Sequence, residues 1–236
     1  MALGRQPARP RVAAGGGLLP RPTAQTGLIS WLTTVDHKRL GILYLLTSAS
    51  FLFLGGIEAG VIRLQLSRPG LSYVSPEFFN QLFTVHGVTM IFLAIMPMGI
   101  GFANYMVPLM IGARDLAFPR LNAFGYWVYL LSGLMFYSSF LLGGAPDAGW
   151  FAYAPMTQTE FTPGHNMDFY TIGLFLNGIG TLVTAMNLIV TIINMRAPGM
   201  TLMRMPLFVW MMLITSFLIV FAFPPFTIGL VEVIMD

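Results

Sequence analysis

The sequence contains no cysteine, only three histidines and few charges, and each shortage removes a class of function. Without a thiol there are no disulfides, no iron–sulfur clusters and no thiolate metal sites. The histidines, His37, His86 and His165, are scattered, and no stretch supplies a metal-ligand cluster, a phosphate-cradling loop or a nucleophile with its base. Charged residues make up 9% of the chain and hydrophobic ones 56%, whereas an ordinary soluble chain is about 25% charged. This is the composition of a membrane protein. Apart from His86, charge is missing from 40–57, 78–113, 121–146, 169–195 and 205–231, and each run supplies the ~20 residues that a spanning helix needs. Runs this long and uniformly apolar exclude the alternating pattern of barrel strands.

The predicted fold is all-α: a polytopic membrane bundle of five transmembrane helices at roughly 40–66, 82–111, 124–144, 169–195 and 207–234. They form one domain over 31–236, preceded by a basic tail over 1–30 that is expected to be disordered up to about Gly27. No apolar core precedes Leu40, so the tail is read as cytoplasmic and not as a cleaved signal peptide. Arg5, Arg9, Arg11, Arg21, Lys38, Arg39, Arg114, Arg120, Arg196 and Arg204 then fall on one side of the membrane, with only Arg63 and Arg68 on the other. That asymmetry places the amino terminus inside and the carboxyl terminus outside. It also accounts for the net charge of +3 without a nucleic-acid partner. Pro97, Pro108 and the Pro224–Pro225 pair are expected to kink their helices. The long loop from Gly143 to Asp168, rich in proline, glycine and aromatics, is expected to form an ordered cap on the outer side.

Depth follows from this topology. His86 lies one turn into the second helix and Arg63 near the end of the first, so both occupy the outer third. Gly55, Gly56, Gly60 and Gly87 nearby leave room for a flat, bulky group. A tetrapyrrole fits, with histidine on the iron and arginine on a polar ring substituent. The alternative is an interhelical hydrogen bond from His86 and an Arg63 that snorkels to the interface. Glu58 is either protonated or paired with Arg63.

The inner half is different. Asn104 follows His86 by 18 residues, about 27 Å deeper on the same helix face. Asn122 opens the third helix, Asn187 lies two-thirds along the fourth, and Tyr44 sits just inside the first. Asp115 stands at the cytoplasmic mouth in IGARDLAFPR. One carboxylate at the mouth with uncharged amides above it suggests a water-filled proton route. The alternative pairs Asp115 with Arg114 or Arg120 in a solvated loop and makes the asparagines interhelical glue. His37 is read as a headgroup-level residue, His165 as an ordinary loop residue, and the 17 methionines as packing side chains.

The segments FTVHGVTMIFLAIMP, GFANYMVPLMIGARDLAFPRLNAFGYW, GGAPDAGWFAYAP and NLIVTIINMRAPGMTLMRMPLFVW closely resemble the amino-terminal part of subunit I of haem–copper cytochrome c oxidases. The resemblance runs from about Trp31 to Asp236 and is closest to the bacterial caa3-type branch of the A-type enzymes. It implies that His86 is an axial ligand of low-spin haem a and that Arg63 partners the haem a formyl group. It implies likewise that Asp115 is the carboxylate at the mouth of the D proton pathway, with Asn104, Asn122, Asn187 and Tyr44 along it. The implied activity is electron transfer from cytochrome c to dioxygen with proton pumping, in a bacterial cytoplasmic membrane. The implied partners are subunits II and III, cytochrome c and the remaining helices of subunit I.

Departures from the family pattern bear on these expectations. Gly125 stands where many members have serine, and a serine pair expected before Asn187 reads Gly180-Thr181. Gln65 replaces a glutamate used elsewhere for a structural cation, so no such site is expected. The family fold has about twelve helices, of which five are expected in this sequence. The second haem a ligand, the haem a3 ligand and the copper B ligands are expected on the others. The expected role is therefore a share of a catalytic subunit: one side of the low-spin haem a site and the lower D pathway. A haem b quinol-type oxidase subunit and a non-redox proton channel or assembly protein on the same scaffold are the alternatives.

Overall fold

A computed structural model describes residues 27–70 and 72–235. The arginines of the basic tail and the disorder expected up to Gly27 lie outside the described residues. A short helix, α1 (Leu28–Leu32), belongs to a compact unit that ends at Thr34. A second unit begins at Val35 and holds the bundle. Its helices are α2 (His37–Gln65), α3 (Pro76–Val88), α4 (Met96–Ile111), α5 (Pro119–Leu142), α6 (Asn166–Asn194) and α7 (Leu207–Met235). A π-helical turn, Thr89–Ile95, joins α3 to α4, so 76–111 is one continuous helical rod. Among the described residues five rods are long and apolar enough to cross a membrane, and there is no strand. The protein is a multi-pass membrane protein.

Four of the helices, α2, α3, α5 and α6, begin earlier than the apolar runs predict, and in three of them a capping side chain or a proline builds the first turn. Asp36 accepts hydrogen bonds from the backbone N–H groups of Lys38 and Arg39 at 2.9 and 3.1 Å, which starts α2 at His37. Ser75 accepts from the Phe78 N–H at 3.2 Å, Pro76 fills the first position, and Glu77 lies in the first turn of α3. Pro119 similarly opens α5.

The prolines inside the rods explain several long-range contacts. Pro97 has no N–H, so Leu93 (four residues back) and Phe92 (five back) lose a donor in either the α or the π register. The Tyr129 hydroxyl of α5 donates to the Leu93 carbonyl at 2.7 Å, and the Asn177 amide of α6 donates to the Phe92 carbonyl at 3.2 Å. Buried carbonyls are thus satisfied from neighbouring helices, as hydrocarbon surroundings require. Pro108 frees the Asn104 carbonyl in the same way. His37 answers it, with Nδ1 at 3.0 Å. His37, at the first position of α2, is 2% exposed and packed against α4 through this contact.

Glycines allow the helices to approach closely. A Cβ added at Gly180 would lie 3.0 Å from the Gly125 carbonyl oxygen, and one at Gly133 would overlap the Phe51 ring. The expected cap also exists. Gly149 N–H donates to Thr84 at 2.9 Å, the Tyr170 hydroxyl donates to the Trp150 carbonyl at 2.7 Å, and the Trp150 side chain fills the space beside Gly87.

Candidate functional site

At the capped end of the bundle, the His86 Nδ1 lies 2.9 Å from the Gly55 carbonyl oxygen of α2. A carbonyl can only accept, so Nδ1 carries the hydrogen and the Nε2 lone pair is left for a metal. Gly56, Gly60 and Arg63 follow at four- and three-residue spacing, which places them on one face of α2. That face is exposed, and nothing lies within 4 Å of a Cβ added at Gly56 or Gly60. A single free imidazole nitrogen beside an open glycine stripe that ends in a guanidinium fits the edge of an iron tetrapyrrole. Two of the four glycines do not contribute room. A Cβ at Gly55 would meet Met90 and Thr89 at 3.2 and 3.3 Å, and one at Gly87 would meet Trp150 at 2.9 Å. Glu58 is not paired with Arg63; it accepts a hydrogen bond from the Tyr137 hydroxyl of α5 at 3.0 Å.

The opposite end gathers the other predicted residues. Tyr44 of α2 packs against Gly101 of α4, where an added Cβ would lie 3.0 Å from the Tyr44 Cβ. A Cβ at Gly125 of α5 would lie 3.5 Å from the Tyr44 hydroxyl and 2.9 Å from Thr184 Oγ1 of α6. Four helices therefore converge at Tyr44. Asn104, Asn122 and Asn187 each lie three residues from Gly101, Gly125 and Thr184 respectively, one turn nearer the end that carries Asp115. All three are 0% exposed. The Asn104 Oδ1 and both side-chain polar atoms of Asn122 are buried without a protein hydrogen-bond partner.

Asn187 behaves differently from the other two. Its Oδ1 accepts from the Phe118 N–H at 2.9 Å and its Nδ2 donates to the Phe118 carbonyl at 3.1 Å. Thr191, one turn on, accepts from the Ala117 N–H at 2.9 Å. Together they clamp the loop that carries Asp115, which is 8% exposed and not in a solvated position. Its Oδ1 accepts from the Leu116 N–H at 2.8 Å.

The departures at Gly125 and Gly180 have a spatial reason. Helices α5 and α6 touch there, and the Thr184 hydroxyl, which donates to the Gly180 carbonyl at 3.0 Å, occupies the place beside Gly125 that a serine side chain would claim. Sequence reading missed Thr184 and Thr191. The signal was available: Asn177, Thr181, Thr184 and Thr191, all buried, recur along α6 at multiples of the helical period. At the capped end Gln65 Oε1 accepts from the Tyr73 and Val74 N–H groups at 2.9 and 3.2 Å.

Asp147 in the cap has a carboxyl raised above the usual carboxylate range, chiefly by burial, with Glu77 adding repulsion and its own backbone opposing. Its Oδ1 is buried without a partner. A carboxyl whose folded pKa is raised binds its proton better in the folded state. Its contribution to stability is present below the unfolded pKa and lost as pH rises through the folded one. The protein is therefore expected to unfold at a lower temperature at neutral than at mildly acidic pH, with Asp147→Asn narrowing the difference. Thermal unfolding in detergent at the two pH values checks this; an undiminished difference in the variant would refute it.

Residues 39–236 match the family model described as Cytochrome C and Quinol oxidase polypeptide I. The chain is 52% identical over 212 residues to cytochrome c oxidase subunit 1 of Bacillus sp. (strain PS3), covering 89% of this chain and 34% of that protein. It is 52% identical over 215 residues to the putative cytochrome c oxidase subunit 1-beta of Streptomyces coelicolor, covering 91% and 38%. It is also 47% identical over 206 residues to quinol oxidase subunit 1 of Bacillus subtilis (strain 168), covering 87% and 32%. The chain thus spans about a third of the length of these relatives.

Proposed function

The chain belongs to the cytochrome c and quinol oxidase polypeptide I family, and from that premise we propose that it forms part of the catalytic subunit of a proton-pumping terminal oxidase in a bacterial cytoplasmic membrane. Its share is one side of the low-spin haem a site and the lower proton pathway. Haem a3 and copper B belong to the complete subunit, which works with subunits II and III and takes electrons from cytochrome c. The positive-inside bias supports an amino terminus on the cytoplasmic side.

The observation that carries the reading is the His86 contact: Nδ1 donates to the Gly55 carbonyl at 2.9 Å, which leaves the Nε2 lone pair to bind a metal. Haem bound there would supply reversible one-electron chemistry. Arg63, at the end of the open glycine stripe, would hydrogen-bond a polar substituent on the ring edge. At the other end Asp115 gathers protons, and Asn187 and Thr191 hold its loop in place. The three unpartnered amide atoms of Asn104 and Asn122 support a hydrated route, because buried polar atoms without partners are costly unless water serves them. Amides orient such waters without trapping the proton.

A reduced-minus-oxidised visible spectrum of the purified complex tests the reading. A low-spin a-type band is the expected result, and the absence of any low-spin haem band would overturn it. The identity with quinol oxidase subunit 1 favours one second reading, a quinol donor. Turnover with reduced cytochrome c against turnover with a quinol decides between them.

A further inference from the structure

Glu58 has no place in the reading above, yet it lies in the same layer as His86. It is 7% exposed. One carboxylate oxygen accepts from the Tyr137 hydroxyl at 3.0 Å, and that hydroxyl lies 2.9 Å from Thr89 Oγ1. The other oxygen, Oε2, is buried without a partner. Gly55, whose carbonyl holds His86, is one turn before Glu58 on α2, and Thr89 is one turn after His86. A chain of three side chains from α2, α5 and the π-helical turn therefore brackets the His86 contact.

A carboxylate in the hydrocarbon layer with no cation beside it is expensive, and a network left half satisfied is worse than an apolar one. A purely structural role would be served by glutamine, which keeps an acceptor for Tyr137 without a charge. We propose that Glu58 is a redox-linked protonation site: its carboxylate takes up one proton when the centre held by His86 gains one electron, and releases it on reoxidation. The inference rests on the haem reading of His86. The electron comes from the one-electron donor that feeds the oxidase and the proton from solvent hydronium; one O–H bond breaks in hydronium, one forms on Oε2, and both changes reverse on reoxidation. Negative charge arriving beside Glu58 favours its neutral form, and by linkage a neutral Glu58 favours the reduced centre. With Glu58 ionised, Tyr137 donates to Oε1 and Thr89 donates to Tyr137. With Glu58 neutral, Oε1 remains an acceptor and the chain stays intact. The titratable and charged groups that bear on Glu58 are Tyr137 from α5, His86 from α3 and Arg63 five residues on along α2; the π-helical turn offers only the uncharged Thr89.

The test uses the assembled oxidase. The midpoint potential of the low-spin centre should fall with rising pH, approaching a tenfold change in the reduction equilibrium per pH unit, or 59 mV for a one-electron couple. Glu58→Gln should flatten that slope and remove one deuterium-sensitive carboxyl band from the reduced-minus-oxidised infrared difference spectrum. Tyr137→Phe keeps the carboxyl but removes the donor that favours its ionised form, so the slope should persist and end at a higher pH. If Glu58→Gln does not assemble, Tyr137→Phe decides, and an unmoved pH dependence overturns the proposal. A Glu58→Gln enzyme with a normal low-spin spectrum that keeps both slope and band also overturns it, while leaving the haem reading intact. Absence of the low-spin spectrum from the unaltered complex would instead sink the haem reading itself.

Discussion

Replacing His86 with alanine is expected to abolish the low-spin haem spectrum of the assembled complex and electron input to it together. The substitution deletes the free imidazole nitrogen beside the glycine face of α2 and leaves a cavity where the ring stood. Loss of a group that merely supports a metal ligand costs about 10–100-fold. Loss of the ligand itself should therefore lower turnover by more than about 100-fold. A packing role makes a different prediction. The hydrogen bond to the Gly55 carbonyl is then all that His86 contributes, the loss is about 0.5–1.5 kcal/mol of stability, and the spectrum survives. Imidazole added to the variant separates the two further, since it should restore part of the low-spin signal only if an iron faces the cavity. A His86→Ala complex with an unchanged low-spin spectrum would remove the haem assignment.

The rods were legible in the sequence because hydrocarbon allows little else: a backbone without water must be helical over some twenty residues, and charge must be absent. Their starts were not, since Glu77 of α3 lies outside any charge-free run although it belongs to the helix. His86, Asp115 and the three asparagines were legible as polar residues in an apolar field. Their partners were not, because His86 with Gly55, Asn187 with Phe118 and Glu58 with Tyr137 are separated by 31, 69 and 79 residues. One class of partner could have been anticipated. Pro97 and Pro108 each leave a carbonyl four residues back without its donor, and the structure answers both with a polar side chain, Tyr129 and His37. A buried histidine, tyrosine or asparagine in a membrane rod is thus read best against the prolines of neighbouring rods before it is assigned to chemistry. By that test His37, Tyr129 and Asn177 are structural, whereas His86, whose partner carbonyl lies four residues before Ala59, answers no proline.

The second large effect is expected at Asp115. Asparagine at this position keeps the volume and an oxygen that can accept from the Leu116 N–H, as Oδ1 does at 2.8 Å. The Asn187 and Thr191 clamps on Phe118 and Ala117 are untouched, so the loop should hold its shape. What disappears is a titratable negative charge at the mouth of the buried amides. If Asp115 collects and relays protons, the assembled Asp115→Asn variant should keep its haem spectrum and its rapid low-spin haem reduction. Oxygen uptake should nevertheless fall about 100-fold, the scale of losing a positioned proton-transfer group, and proton ejection should stop. A structural Asp115 predicts the reverse pattern, with turnover normal and stability lowered by about 1–3 kcal/mol. Oxygen uptake and proton ejection measured on the same reconstituted vesicles distinguish the two, because vesicle leakiness and assembly yield affect both readings alike. Unimpaired ejection by the variant would refute the pathway role of Asp115. It would leave His86 untouched, since His86 lies near the start of the 76–111 rod and Asp115 follows its far end.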